Sequence, residues 1–402
     1  MIAKTILLPV FAALVALPAR ADQRMSAAGR SDQIPTRVVA APAPAATIEP
    51  AAVNFAWTLD PLQPLEEAPP PFMASSRGYW QIADATTLRQ GLPLPLTAPG
   101  ALVQISPLQG ALALASAQWQ VRDPSGTPVI DTRVDAAALR AAGMAVAAGT
   151  SVVKLGAASG RGRYRLQGMR AQGRYVVQVQ EAESTVALQL QASRQQVLAG
   201  DMLALTVRLV DDGGNAAKAT PQAGARALAA TGQALLVAPG GRSWVVPLVA
   251  AGDGLHGQVR IPPDVGPLQG LWELQADVVG KGVQRVARVA VAVAQPTARF
   301  TGQFNADPAA RRIRMALQLG APGRYEARGT LYATAPDGVL RAAAQAHAAA
   351  SFAGAGQGSL TLDFASVALP AGYAAPFEVR QLELHDQSRM APLERRVRAL
   401  RF

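Results

Sequence analysis

The sequence has no cysteine, so disulfides, thiolate metal sites and thiol catalysis are all excluded. Aromatic residues make up only 5% of it, too few for the aromatic girdles of a membrane barrel. There are three histidines, His256, His347 and His385, and no two stand at metal-ligand spacing. Lysine is nearly missing too: Lys4, Lys154, Lys218 and Lys281 are all there are, and arginine supplies the rest of the positive charge. After the first twenty residues no apolar run is long enough to cross a bilayer.

What is present begins with a leader pattern. Lys4 gives a positive start, Ile6 to Leu17 is uncharged and apolar, and Ala19-Arg20-Ala21 places small residues where a signal peptidase reads. Residues 1–21 are therefore expected to be a cleaved signal peptide, with the mature chain periplasmic or secreted and without a transmembrane segment. The apolar run is shorter than the ~20 residues a spanning helix needs, and no cysteine follows it to carry a lipid anchor.

The net charge is +11, or +9 once Lys4 and Arg20 leave. Arginine, alanine, glycine and proline are heavy together, the usage a GC-rich genome produces whatever the function. The denser groups are Arg161, Arg163, Arg165, Arg170 and Arg174, then Arg311, Arg312 and Arg314, then Arg395, Arg396, Arg398 and Arg401. Aromatics do not interleave with them as a single-strand nucleic-acid surface requires, so no nucleic-acid partner is expected.

Residues 22–77 read as a flexible spacer, with Ala41-Pro42-Ala43-Pro44 and Pro69-Pro70-Pro71; a short piece around Phe55-Ala56-Trp57 is expected to dock on the domains downstream of it or to form a strand. From there the rhythm is period two. Arg163-Tyr164-Arg165-Leu166-Gln167, Tyr175-Val176-Val177-Gln178-Val179 and Val186-Ala187-Leu188-Gln189-Leu190 alternate, the last two flanking a hairpin-sized connection at Glu181 to Ser184. Asp84 can cap a short helix ending at Gly91, and Asp135 to Ala142 reads as a turn or two of helix. Further strand runs are separated by turn signals and not by long helical periods, which predicts antiparallel sheets. The alanine-rich stretch Val339 to Ala350 favours helix by propensity, but strands surround it, and the context favours strand. The expected architecture is all-β: tandem immunoglobulin-like antiparallel sandwiches over 78–192, 193–296 and 297–402, after the signal peptide and spacer.

Certain runs resemble a known family. Gly323-Arg324-Tyr325-Glu326-Ala327-Arg328-Gly329-Thr330-Leu331-Tyr332, Asp337-Gly338, Ser359-Leu360-Thr361-Leu362-Asp363-Phe364 and Glu383-Leu384-His385-Asp386-Gln387-Ser388-Arg389-Met390 resemble the C-terminal module of exported proteobacterial proteins known as a domain of unknown function. Asp253-Gly254 with Gly270-Leu271-Trp272-Glu273-Leu274 is similar to their middle domain and to macroglobulin-type sandwiches. The resemblance spans 78–402. It implies tandem immunoglobulin-like folds and no particular activity.

Candidate chemistry is thin, and no catalytic, cofactor or metal residue is assigned. Ser151-Val152-Val153-Lys154 has the Ser-x-x-Lys spacing of penicillin-recognising serine enzymes but lacks their partner motifs, and on a strand the two side chains face opposite ways. His385 and Asp386 are adjacent, so on a strand they too diverge; Asp386 is expected to accept backbone or Arg389 hydrogen bonds at a turn. Asp211, Asp212 and Asn215 carry oxygens without a calcium-loop register. Gly354-Ala355-Gly356-Gln357-Gly358 precedes a strand, where a dinucleotide site needs a helix. Trp244 and Trp272 read as core. Phe402 ends the chain as barrel proteins do, but Arg396, Arg398 and Arg401 spoil a lipid-facing band. These observations point to a non-enzymatic exported protein that binds or scaffolds a macromolecule, either protein or envelope glycan. The alternatives are a secreted hydrolase with a loop-assembled site and a cationic module for anionic glycans.

Overall fold

The computed structural model describes residues 23–43, 49–63, 65, 72–158, 160–213, 225–252, 254–265 and 270–402. The expected signal peptide lies outside these residues. Strands dominate, and the sheets are antiparallel apart from the pairing of Gln196–Leu198 with Val283–Ala294. The chain divides into two compact units, residues 68–295 and residues 1–67 with 296–402.

The first unit holds two sandwiches. In one, a three-stranded sheet in the order Leu92–Leu96, Gly162–Gln167, Gln120–Arg122 faces a five-stranded sheet of Gly78–Asp84, Arg174–Gln180, Leu102–Pro107, Ser151–Leu155 and Ile130–Asp135. Alternation decides what is inside: Leu92, Leu94 and Leu96 are buried, as are Tyr175, Val177 and Val179 on the strand Arg174–Gln180. Trp119 meets Tyr175 edge to face at 5.4 Å. The expected short helix is Ala85–Gln90, its first turn closed by Thr87 N–H donating 2.7 Å to the Asp84 carboxylate and its end by Gly91 at φ 102°. A second short helix is Ala136–Ala141.

In the other sandwich, Leu248–Ala251, Gly254–Arg260, Met202–Asp211, Val186–Ala192 and Met73–Ser76 form one sheet, with Arg226–Leu228 also on Met202–Asp211. Gln196–Leu198, Val283–Ala294, Gly270–Gly280, Thr231–Val237 and Ser243–Val246 form the other. Trp272 is buried and stacks on Trp244 at 5.2 Å, so both serve the core as read from sequence. The expected hairpin across Glu181 to Ser184 does not form. Tyr175–Val179 pairs with Gly78–Asp84 and Leu102–Pro107, whereas Val186–Ala192 crosses into the second sandwich. Its backbone pairs on both edges, with Met202–Asp211 and Met73–Ser76, and turns Val186, Leu188, Leu190 and Ala192 into the core of the second sandwich.

The second unit is a sandwich built from both ends of the chain. Gln23–Arg24, Ala298–Asp307, Arg312–Leu319 and Gly356–Asp363 make one sheet. Val53–Thr58, Leu340–Phe352, Gly323–Thr334, Ala374–Asp386 and Ala391–Arg401 make the other. Within the stretch 22–77 read as a spacer, the described residues include the strands Gln23–Arg24, Val53–Thr58 and Met73–Ser76, and of the two readings of Phe55-Ala56-Trp57 the strand is the one formed. The prolines of this stretch favour extended backbone, and extended backbone is what an edge strand needs. Val53–Thr58 completes a sheet, Gln33 and Arg395 exchange backbone hydrogen bonds of 2.9 and 2.8 Å, and Val39 N–H donates to Pro296 C=O at 2.9 Å. The alanine stretch is strand, as context predicted. Ala342, Ala343, Ala344, Ala346, Ala348 and Ala349 are buried, so small side chains on both faces let the layers close in.

Candidate functional site

The outer face of the five-stranded sheet in the second unit gathers a row of chemically capable side chains. Register puts Phe55, His347, Arg328, Glu383 and Arg395 in one row across all five strands. One step along, Glu326 stands opposite His385. Two of the three histidines, far apart in sequence, thus share a face.

Each charge there has a partner. His347 Nδ1 lies 2.6 Å from Glu326 Oε1, and Gln387 donates to the other oxygen of Glu326 at 2.9 Å. Arg328 grips Glu383 through Nε and Nη2 at 2.7 and 2.6 Å. His385 Nε2 sits 3.0 Å from the same carboxylate, and Arg395 approaches it at 3.6 Å. Burial by itself raises the Glu383 carboxyl. The His385 hydrogen bond and the Arg328 guanidinium overcome that and hold it down at about 2. It is an anion at neutral pH, the opposite of what a general acid requires.

The aromatic part comes from the edge strand. Phe55 is 51% exposed and Trp57 38% exposed. Their rings stack on each other at 5.7 Å and lie 5.3 and 5.1 Å from the His347 ring. The strand is tied down from its leading side, because Arg324 donates 2.8 and 2.6 Å bonds to the carbonyls of Glu49 and Ala51 while its Nε reaches Gln387 at 2.8 Å. One polar chain thus runs from the backbone at 49–51 through Arg324, Gln387 and Glu326 to His347 and the aromatic pair.

No group of three or more His, Asp or Glu side chains converges on a metal position among the described residues. The other sequence candidates stay apart. Ser151 is buried and donates 3.0 Å to the Leu114 carbonyl, while Lys154 is exposed on the opposite face. Asp386 is buried and accepts from Arg389 at 2.6 Å and from Thr297 at 2.7 Å; His385 points the other way, to Glu383. Asp212 pairs with Arg77, and Asp211 accepts from Gly213 N–H at 3.3 Å; Asn215 lies outside the described residues. Gly356 opens a strand. Phe402 packs on Phe377 at 5.4 Å. No described helix is long and apolar enough to cross a membrane.

Sequence reading missed Glu326, Arg328 and Glu383 as a group. Their alternation with inward residues was visible, but not the register that joins three strands.

The fold and this face define an all-β protein of tandem sandwiches that presents a charge-paired sheet surface with an aromatic edge. The model of the domain of unknown function (DUF4785) N-terminal domain matches residues 44–181, and that of the DUF4785 C-terminal domain matches 297–402. Together they span more than half of the chain, which belongs to the DUF4785 family. It is similar in fold to the crystal structure of a DUF4785 family protein from Legionella pneumophila, with a TM-score of 0.69 at 16% identity over 92% of this chain and 98% of that one. No curated protein matches the sequence.

Proposed function

We propose that this is an exported, non-enzymatic protein that binds or scaffolds another macromolecule, protein or glycan, in the periplasm or outside the cell. The leader pattern of residues 1–21 supports the location. The surface it presents is the outer face of the Val53–Thr58 to Ala391–Arg401 sheet.

One observation carries this reading. Phe55 and Trp57 are 51% and 38% exposed, although they stack on each other and on the His347 ring at the edge of the sheet. Rigid aromatics at the edge of a polar, pre-paired face supply contact area at little entropic cost, the usual anatomy of a recognition hot spot. The ion pairs around them are already made, so a partner gains complementarity without having to order loose charges.

The test is capture from the source culture with the mature protein at low and high salt, beside a Phe55→Ala/Trp57→Ala variant. A specific partner retained at high salt by the parent and lost by the variant is expected. Equal capture by both, or capture that vanishes in salt, overturns the assignment of this face.

A further inference from the structure

The small sheet of the first sandwich gathers three arginines on its outer face. Its core-facing residues are Leu92, Leu94, Leu96, Tyr164, Leu166 and Val121, all buried. Alternation therefore turns Pro93, Pro95, Arg163, Arg165, Gln120 and Arg122 outward. Arg165 stands directly opposite Arg122, and Arg163 follows two residues along, opposite Pro95.

Several strand arginines elsewhere meet acids. Arg312 pairs with Asp363 at 2.8 Å, Arg288 with Glu273 at 3.3 Å, Arg380 with Glu378 at 2.9 Å, and Arg328 with Glu383. On this face no carboxylate meets Arg163 or Arg165 among the described residues. Asp123, next along from Arg122, spends its Oδ1 on Ser125 and Thr127 in the following turn. Arg163 and Arg165 are exposed and form neither an ion pair nor a hydrogen bond among the described residues. Arg122 is held in place by the Gly126 carbonyl at 2.9 Å and by Gln120 at 3.1 Å. Like charges directly across a sheet destabilise it. An uncompensated pair on an ordered strand is thus a standing cost that a bound anion would remove.

We propose that this face binds the carboxylates of an acidic polysaccharide. Guanidinium groups take carboxylates in a planar, two-bond fork. Gln120 and Gln167, paired across the sheet, add amides for sugar hydroxyls. The two prolines fix their own φ angles and so stiffen the edge strand Leu92–Leu96. The face offers no ring on which a nucleic-acid base can stack, and no Leu, Phe or Trp to enter a lipid boundary. It lies in the other unit from Phe55 and Trp57, so it stands or falls independently of the function proposed above.

The test uses the full mature chain and polygalacturonate as probe, at about 50 and about 300 mM salt, with neutral dextran, duplex DNA and phosphatidylglycerol vesicles alongside. The variant is Arg163→Gln/Arg165→Gln; the charge-matched control is Arg312→Gln/Arg341→Gln, whose arginines are already paired. Polygalacturonate binding at low salt, weakened about tenfold or more by the first variant and less than about twofold by the control, is expected. The first variant relieves a like-charge repulsion and the control breaks two surface ion pairs, so the melting temperature of each should stay within about 5 °C of the parent's, and circular dichroism checks that both are folded. Equal weakening by the two variants would reduce the effect to net charge and overturn the proposal. So would the absence of polygalacturonate binding, or stronger binding to DNA or vesicles.

Discussion

Arg285 and Glu181 form an ion pair of 2.8 Å in which neither side chain is exposed to solvent. Arg285 comes from the strand Val283–Ala294 of one sandwich, and Glu181 from the turn that closes the other. Glu181 also accepts from the backbone of Thr97 and Ala98 at 2.5 and 2.9 Å, while Arg285 donates to Val186 C=O, Thr97 and Ser184. Desolvation lowers the Arg285 pKa, and the Glu181 charge opposes that. Breaking such a pair from one side strands a buried charge and costs about 3–5 kcal/mol. Arg285→Met and Glu181→Gln should each lower the urea midpoint strongly, and the double variant should lose clearly less than the sum. Additive losses would show that the two groups are not coupled.

Tyr79 makes the opposite case. Its ring is core, yet its hydroxyl is buried with no hydrogen-bond partner among the described residues. Burial first, then the Glu181 carboxylate, pushes its phenol well above the ordinary range. Tyr79→Phe removes an unsatisfied polar group without changing the packing. It is expected to be neutral or to stabilise by about 1 kcal/mol, seen as an unchanged or raised urea midpoint. A loss of more than about 1 kcal/mol would mean that the hydroxyl is satisfied by ordered water.

Local chemistry in this sequence was readable. Asp84 and Gly91 bracket a helix because one caps orphan N–H groups and the other takes a positive φ. The alternating runs report which residues share a face. Partner choice was not readable. Val186–Ala192 looks like the return of a hairpin, since nothing within it says that its two edges pair with 202–211 and 73–76. His347 and His385 seemed isolated for the same reason: their company depends on register, and register across three strands with bulges at Arg328/Thr330 and Leu384/His385 is a tertiary property. The proline-rich start was harder to read, because the composition of a disordered linker is also tolerable in edge strands that lie against a preformed sheet.

That N-terminal strap gives a steric prediction. A Cβ on Gly320 would sit 2.4 Å from the Val39 carbonyl oxygen, a backbone atom that cannot swing aside. Gly320 N–H is itself committed to Thr297 C=O at 2.7 Å, so the strap has to move. Gly320→Ala should therefore lift the chain around Val39 and leave the rest of the sandwich folded. Trypsin reports it directly, since Arg37 stands two residues before Val39 and Arg30 lies further upstream. Cleavage there should quicken several-fold in the variant, whereas an unchanged digestion pattern would mean that the strap is not held at this point.

Glu383 sets an acid limit on the same unit. Its folded pKa of about 2 lies below its ordinary 4.5, so protons bind the unfolded chain first as pH falls. The carboxylate's contribution is complete above pH 4.5, declines between 4.5 and 2, and is gone below. At neutral pH the full shift would be worth about 3.4 kcal/mol, which screening by the solvent that reaches this side chain brings to roughly 2–3 kcal/mol. Glu383→Gln keeps the shape but surrenders the charge that Arg328 and His385 hold. Its urea-unfolding free energy should fall short of the parent's by about that amount at pH 7, and the gap should narrow steadily once the pH drops under 4.5. A gap that persists undiminished to pH 2 would assign the loss to packing and not to the carboxylate's charge.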